Sequence, residues 1–154
     1  MSYEPGRQRP TVLVTNDDGY LASGLRALSA AIEARGLDVV VLAPERNHTA
    51  AGHGVSLRPL TIVERGLGIY SCDGTPADCV RVAVLCGLLP RPALVISGAN
   101  NGANAGEDVT YSGTVAAAVE GARLGLPALA VSQDSDGPEQ GFLALHPRDF
   151  PNIE

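Results

Sequence analysis

The stretch TVLVTNDDG, residues 11–19, predicts a buried β-strand that ends in two adjacent carboxylates and a glycine. The carboxyl ends of parallel strands are where open α/β sheets bind their ligands. Asp17 and Asp18 repel each other unless a positive charge lies beside them, and a divalent cation supplies that charge. All-oxygen ligands favour Mg²⁺, Mn²⁺ or Ca²⁺ over Zn²⁺. The alternative is that both aspartates cap the following helix or fill a polar turn.

Strand and helix signals alternate outward from this stretch. Helical spacing of apolar residues predicts a helix over 22–35, and the apolar run 39–43 predicts a second buried strand. A strand, a helix and a strand in that order form a βαβ unit with parallel pairing. The mixed patterns at 59–63 and 68–72 predict a hairpin or an edge excursion. Two more strands and two more helices are predicted further on, at 93–97 and 128–132 and at 76–88 and 113–124.

This alternation predicts an α/β fold, a Rossmann-like three-layer sandwich with a mostly parallel sheet. We expect residues 1–10 to form a flexible lead, 11–132 the α/β domain and 133–154 an irregular tail. A helix normally covers the last strand of a doubly wound sheet, and no helical pattern follows residue 132. The chain is therefore expected to be truncated at its C-terminus, or to complete its fold with a partner.

Composition and charge exclude several classes of protein. Apolar residues make up 45% and charged residues 18% of the chain, an ordinary globular balance. The formal charge of −6 argues against a nucleic-acid duplex as partner. Three cysteines without a Cys-x-x-Cys pair indicate neither a disulfide framework nor a zinc site. Since a signal peptide and a long apolar run are both lacking, we expect a cytoplasmic protein that does not bind membranes.

Polar loops after the predicted strands 39–43 and 93–97 carry further candidate ligands. Residues 45–54 and the glycine- and asparagine-rich segment 98–111 follow these strands, and the latter leads to a helix start at Ser112. Amide and hydroxyl oxygens bind hard metals, and a glycine-rich loop before a helix offers N–H groups to an anion. A metal beside an anion pocket suits a phosphate ester. The alternatives are ordinary loops and an ordinary helix cap.

Five motifs, in order, resemble the SurE family, the survival-protein nucleotidases. They are VTNDDGY at 14–20, AP at 43–44 with the loop to residue 52, GTPADCV at 74–80, SGANNGAN at 97–104 and YSGTVAAA at 111–118. The resemblance covers roughly residues 11–132. It implies a metal-dependent phosphomonoesterase, a 5'-nucleotidase that hydrolyses nucleoside monophosphates to nucleoside and phosphate.

The resemblance also implies a metal site that holds one Mg²⁺ or Mn²⁺ ion. Asp17, Asp18 and Asn100 match the family's metal ligands. We also expect a catalytic role for Asp17 and Asp18: one of the two, Asp17 by preference, orients or deprotonates the attacking water. The family's fourth ligand is a serine followed by glycine, and this chain has Thr49 followed by Ala50. A threonine hydroxyl can still bind a metal, but an alanine restricts the loop if that position requires positive φ.

Phosphate contacts are implied in the segment 98–111 and at the start of the helix that follows it. Asn104 matches an asparagine that faces the phosphate, and Ser112, Gly113 and Thr114 match the family's phosphate-binding turn. Family members continue well beyond the fourth core strand, with covering helices and an arm exchanged between subunits. A homodimer or tetramer is therefore expected, weakened if that arm is absent. The alternatives are a nucleotide-binding module without catalysis and an inactive fragment or interaction subunit.

Overall fold

The computed structural model describes residues 9–87 and 89–133. Within these residues the strands are β1 Thr11–Thr15, β2 Asp38–Pro44, β3 Ile62–Gly66, β4 Ile69–Cys72, β5 Leu94–Asn101 and β6 Ala128–Gln133. They form one sheet in the order β3-β4-β2-β1-β5-β6. Every neighbouring pair is parallel except β3 and β4, which form an antiparallel hairpin. The predicted α/β class with a mostly parallel sheet is confirmed.

Helices cover both faces of the sheet and produce three layers. They are α1 Ser23–Glu33, α2 Pro76–Leu85 and α3 Gly113–Arg123. Successive side chains of a strand point to opposite faces, and β1 follows this rule. Val12 and Val14 pack with Leu25 of α1, whereas Leu13 packs on the other face with Val80 of α2. Each face of the central strand therefore has its own buried core.

The strand order changes direction at β1, which lies between β2 and β5. Leu13 pairs with Val40 of β2 on one side and with Val95 of β5 on the other. The chain therefore moves outward from β1 in one direction and later returns to extend the sheet in the other. Open α/β sheets bind ligands at this switch point, beyond the carboxyl ends of the strands. Asp17 and Asp18 follow β1 at that point.

Strand β5, predicted at 93–97, extends further than the sequence predicted, to Asn101. Its pairing with β6 shifts register between Ser97 and Asn100, as at a β-bulge, and then resumes opposite Ser132 and Gln133. Gly98 makes the bulge possible, because its φ is 136° and a Cβ atom there would lie 2.2 Å from a carbonyl oxygen of β6. The prediction that a loop begins at residue 98 was wrong for this reason.

Other predicted boundaries need smaller corrections. The helix predicted to reach residue 88 ends at Leu85, ahead of Gly87 with a φ of 63°. The segment predicted as a loop over 98–111 also contains a short 3₁₀ helix, Gly106–Thr110. Gln133, assigned to the tail, is the last residue of β6. The remaining predicted tail, 134–154, and residues 1–8 of the predicted lead lie outside the described residues.

Candidate functional site

A cleft of about 150 Å³ opens at the carboxyl ends of β1 and β5. Most of the site residues predicted from the sequence line it, although they come from four separate segments of the chain. Those that do are Asp17, Asp18, Thr49, Asn100, Asn104 and Ser112. The other two predicted residues, Gly113 and Thr114, lie directly behind Asp17 in the first turn of α3.

Asp17 is the most enclosed carboxylate of the cleft, with 4% of the residue exposed. The hydroxyl of Thr114 donates to its Oδ1 at 2.6 Å. Gly113 makes this contact possible, since a Cβ atom at that position would lie 2.8 Å from the Cβ of Asp17. The side chain of Thr114 therefore orients Asp17, and only its backbone N–H remains for a phosphate.

A tight turn fixes the direction in which the two aspartates leave β1. The side chain of Asn16 donates to the carbonyl of Gly19 and accepts from its N–H, both at 3.1 Å. Gly19 has a φ of 100°, a conformation that glycine adopts readily. Sequence analysis missed this role of Asn16, although an asparagine three residues before a glycine is a known turn signal.

Asp18 has weaker partners than Asp17. Its carboxylate receives the backbone N–H of Asn101 and the side-chain amide of Asn47, both at 3.4 Å. Burial raises the pKa of Asp18, and the neighbouring charge of Asp17 raises it further, while the Asn101 N–H opposes both. Both causes disfavour the ionised form, and a bound cation would relieve them.

Thr49 lines the cleft on the loop that follows β2. Its backbone N–H and its hydroxyl both donate to Oδ1 of Asn47, each at 2.6 Å. The hydroxyl proton is thus engaged, which leaves the oxygen lone pairs of Thr49 for a ligand. The next residue, Ala50, has a φ of 65°. This position therefore requires the positive φ at which the sequence analysis expected an alanine to restrict the loop.

The amides of Asn100 and Asn104 are oriented in opposite senses by their hydrogen bonds. Asn100 donates from its amide nitrogen to the carbonyl of Gly102 at 2.9 Å, which leaves its amide oxygen for a cation. Asn104 accepts from the hydroxyl of Ser132 at 2.7 Å, which leaves its N–H groups for an anion. These two orientations suit a metal ligand and a phosphate contact respectively.

The N-terminus of α3 supplies further donors. Ser112 caps the helix by accepting from the N–H of Val115 at 3.1 Å, as the sequence predicted. The N–H groups of Gly113 and Thr114 have no acceptor within the described part of the chain. Because the first turn of a helix also carries partial positive charge, this end of α3 attracts an anion.

Further residues of the cleft were not singled out from the sequence. They include Asp108 and Tyr111, which come from the 3₁₀ helix and the residue after it. The only sequence signal of Asp108 was membership of the polar segment that precedes α3, whereas Tyr111 is also the first residue of the motif YSGTVAAA. His48 donates its backbone N–H to the carbonyl of Asp17 at 2.7 Å. Burial and the charge of Arg46 lower the pKa of the His48 imidazole against the opposite effect of Asp78 and Asp17.

The donor set suits a hard divalent cation. Among residues 9–87 and 89–133 no group of three or more His, Cys, Asp or Glu side chains forms a metal-binding cluster. The available donors are instead two carboxylates, an amide oxygen and a hydroxyl, from Asp17, Asp18, Asn100 and Thr49. Oxygen-only sets of this kind bind Mg²⁺ or Mn²⁺ rather than Zn²⁺.

The fold and the cleft define a doubly wound α/β protein whose site combines paired carboxylates with an anion-binding helix terminus. The family model for the survival protein SurE matches residues 12–149. The chain belongs to the SurE family, which confirms the resemblance noted in its motifs. None of the described helices is long and apolar enough to cross a membrane.

Relatives and a solved structure agree with this assignment. Proteins named 5'-nucleotidase SurE from Pelobacter propionicus and Desulfitobacterium hafniense are each 51% identical to this chain. The alignments cover 87% and 79% of this chain, but 56% and 50% of those relatives. The crystal structure of the SurE protein from Aquifex aeolicus has a TM-score of 0.76 at 44% identity, over 82% of this chain and 52% of that one. This chain therefore spans about half the length of the relatives it matches.

Proposed function

We propose that this chain carries the catalytic centre of a metal-dependent phosphomonoesterase that hydrolyses nucleoside monophosphates. The main support is a single cleft that brings the paired carboxylates of Asp17 and Asp18 beside the N-terminus of α3. A cation site next to an anion site is suited to binding a phosphate ester. The relatives named 5'-nucleotidase SurE point to a nucleotide as the ester.

In this proposal Asp17, Asp18, Thr49 and Asn100 hold one divalent ion, Mg²⁺ or Mn²⁺. The bound ion supplies Lewis-acid polarisation of a phosphoryl oxygen and a lower pKa for a bound water. Asp17 orients the attacking water or accepts its proton. Thr114 keeps the Asp17 carboxylate in one orientation through its 2.6 Å hydrogen bond.

The phosphoryl group is held from the opposite side by uncharged donors. The side-chain N–H groups of Asn104 and the backbone N–H groups of Gly113 and Thr114 stabilise the negative charge that develops on its oxygens. Since these donors are held by Ser132 and by the helix, they need little reorganisation during the reaction. A homodimeric or tetrameric assembly stays a prediction from the family resemblance.

The decisive experiment measures phosphate release from AMP and GMP with Mn²⁺. Asp17→Asn should lower turnover at least ~100-fold, because it removes both a metal ligand and the group that handles the water. Asp38→Asn is the matched control: it makes the same substitution at the exposed start of β2, at the opposite edge of the sheet, and should leave turnover unchanged.

Two outcomes would reject the proposal in different ways. Equal turnover by the wild type and Asp17→Asn would exclude the assigned chemistry. Nucleotide binding that persists undiminished in chelator, without any turnover, would instead favour a binding module without catalysis. Calorimetry of AMP with and without EDTA distinguishes this second outcome from the first.

A further inference from the structure

The loop that carries Thr49 is held at both of its ends. We refer to residues 45–54 as the Thr49 loop. At its start, the backbone N–H of His48 donates to the carbonyl of Asp17 at 2.7 Å, next to the cleft. At its far end, His53 contacts the buried carboxylate of Glu120 in the C-terminal half of α3, with 2.8 Å between Nε2 and Oε2. The loop thus bridges the end of β1 and the outer helix layer.

Backbone contacts beside His53 give the same end of the loop a defined path. The N–H of Gly52 donates to the carbonyl of Tyr111 at 3.0 Å. The carbonyl of Gly54 accepts from the hydroxyl of Thr75, at the start of α2, at 2.7 Å. Between these contacts and His48 lie only three residues, 49–51. Within this segment Thr49 donates to Asn47, and the N–H of Ala51 donates to the carbonyl of His48 at 3.0 Å, so its position depends on these local bonds and on where the two ends are held.

The segment between the two ends is under strain. Ala50 has a φ of 65°, and residues other than glycine, asparagine and aspartate enter this region only at a cost. A strained residue persists when the surrounding contacts prevent its relaxation. If the far end were released, relaxation of Ala50 would change the backbone path directly beside Thr49, which lines the cleft.

Glu120 is well suited to act as a fixed anchor. Its side chain is 4% exposed, each of its two oxygens accepts a hydrogen bond, and Nε of Arg123 lies 3.8 Å from Oε2. Oε2 accepts from His53, and Oε1 accepts from Arg81 of α2 at 2.9 Å. Burial alone raises the pKa of Glu120, but the hydrogen bonds from His53 and Arg81 outweigh that effect and lower it. Glu120 is therefore ionised at neutral pH and can accept from Nε2–H of His53.

We propose that His53 and Glu120 are positioning residues that hold the Thr49 loop at the cleft. Neither residue lines the cleft. They act through Thr49, whose hydroxyl belongs to the donor set of the metal site. This inference rests on the proposed function for the importance of the metal, but the holding of the loop can be measured without any turnover.

The test compares two variants that each remove one hydrogen-bond partner of Glu120. His53→Leu removes the partner on the Thr49 loop, and Arg81→Leu removes the partner on α2. Mn²⁺ affinity is measured by calorimetry, and amide hydrogen exchange is followed at residues 49–54. His53→Leu should weaken Mn²⁺ binding about 10- to 100-fold, as is usual for residues that orient a metal ligand, and should accelerate exchange in the loop. Arg81→Leu should do neither, although both variants lose thermal stability.

A third variant separates positioning from general loss of stability. His53→Gln retains an N–H donor for Glu120 and should restore Mn²⁺ affinity and slow exchange, at least in part. Unchanged affinity and unchanged exchange in His53→Leu would overturn the proposal, and so would equal effects of His53→Leu and Arg81→Leu. The wild type could instead bind Mn²⁺ without hydrolysing AMP, while His53→Leu still shows faster exchange in the loop. That result would support the positioning role and reject the nucleotidase assignment.

Discussion

At the residue scale, the two neighbouring aspartates lie in different environments. Asp17 is almost fully buried and receives a 2.6 Å hydrogen bond from Thr114. Within residues 9–87 and 89–133, Asp18 accepts two hydrogen bonds, both of 3.4 Å, and burial together with the charge of Asp17 raises its pKa. Asp17 is therefore the proposed metal ligand whose orientation is already fixed, by its hydrogen bond from Thr114. A neighbouring positive charge, such as the proposed metal ion, would oppose both effects that raise the pKa of Asp18.

Substitution of Ala50 by glycine measures the backbone strain in the Thr49 loop. Ala50→Gly should raise the free energy of unfolding by up to ~1 kcal/mol. The left-handed conformation costs an L-residue roughly 1–2 kcal/mol, and the greater freedom of glycine in the unfolded chain returns part of that gain. Urea denaturation of both proteins measures the difference.

The neighbouring residue is the control for this prediction. Ala51 is not among the residues with positive φ, so Ala51→Gly should lower the free energy of unfolding by about 0.4–1 kcal/mol. Effects of the same sign in Ala50→Gly and Ala51→Gly would show that backbone strain at Ala50 is not relieved.

At the element scale, α3 approaches the sheet closely at both ends through glycines. A Cβ atom at position 113 would lie 2.8 Å from the Cβ of Asp17, and one at position 121 would lie 3.0 Å from the Cβ of Val95. The N-terminal approach brings helix donors to the cleft, whereas the other packs α3 against β5. A glycine therefore allows close packing at both ends of α3, next to the cleft at one end and in the core at the other.

These two glycines allow a matched comparison. Gly113→Ala and Gly121→Ala should each destabilise the protein by about 1–3 kcal/mol, because α3 must move outward to admit a methyl group. Only Gly113→Ala displaces Asp17, so it alone should weaken Mn²⁺ binding, by roughly tenfold or more. Thermal unfolding and calorimetry on both variants provide the measurements. Equal Mn²⁺ affinity in the two variants would contradict this role of Gly113.

At the scale of the whole molecule, the cores and the cleft are built from different residues. One buried apolar cluster packs α1 on one face of the sheet, and the other packs α2 and α3 on the opposite face. None of the cleft side chains belongs to either cluster. The described domain is therefore expected to fold without a metal, and the metal to add stability only through binding.

Removal of the metal tests this separation. EDTA should leave the far-ultraviolet circular dichroism unchanged. Mn²⁺ at 100 times its dissociation constant should add about 2.7 kcal/mol to the free energy of unfolding, which raises the melting temperature by several degrees. Asp17→Asn should show no such rise. Unfolding in EDTA would contradict the expectation that the domain folds without a metal. An equal rise in the stability of Asp17→Asn would contradict the proposal that Asp17 holds the metal.

Much of the architecture follows from local patterns. The apolar run that begins at Thr11, the helical spacing after it and the serine cap at Ser112 all depend on residues within one or two turns of each other. Strand and helix signals in that order, with right-handed crossovers, allow few sheets other than a parallel one. The positions of the predicted aspartates and asparagines at one sheet edge follow from the same rule.

The rest depends on contacts between distant parts of the chain. The hydroxyl of Thr114 reaches Asp17 across 97 residues, and His53 reaches Glu120 across 67. The bulge that extends β5 depends equally on the strand paired beside it. The sequence by itself determined the order of strands and helices and the chemistry of the candidate ligands, because periodicity and caps are local. Only the tertiary structure decided which hydroxyl orients Asp17 and which carboxylate holds the Thr49 loop, because a hydrogen bond requires atoms within about 3 Å and local patterns carry no such distance.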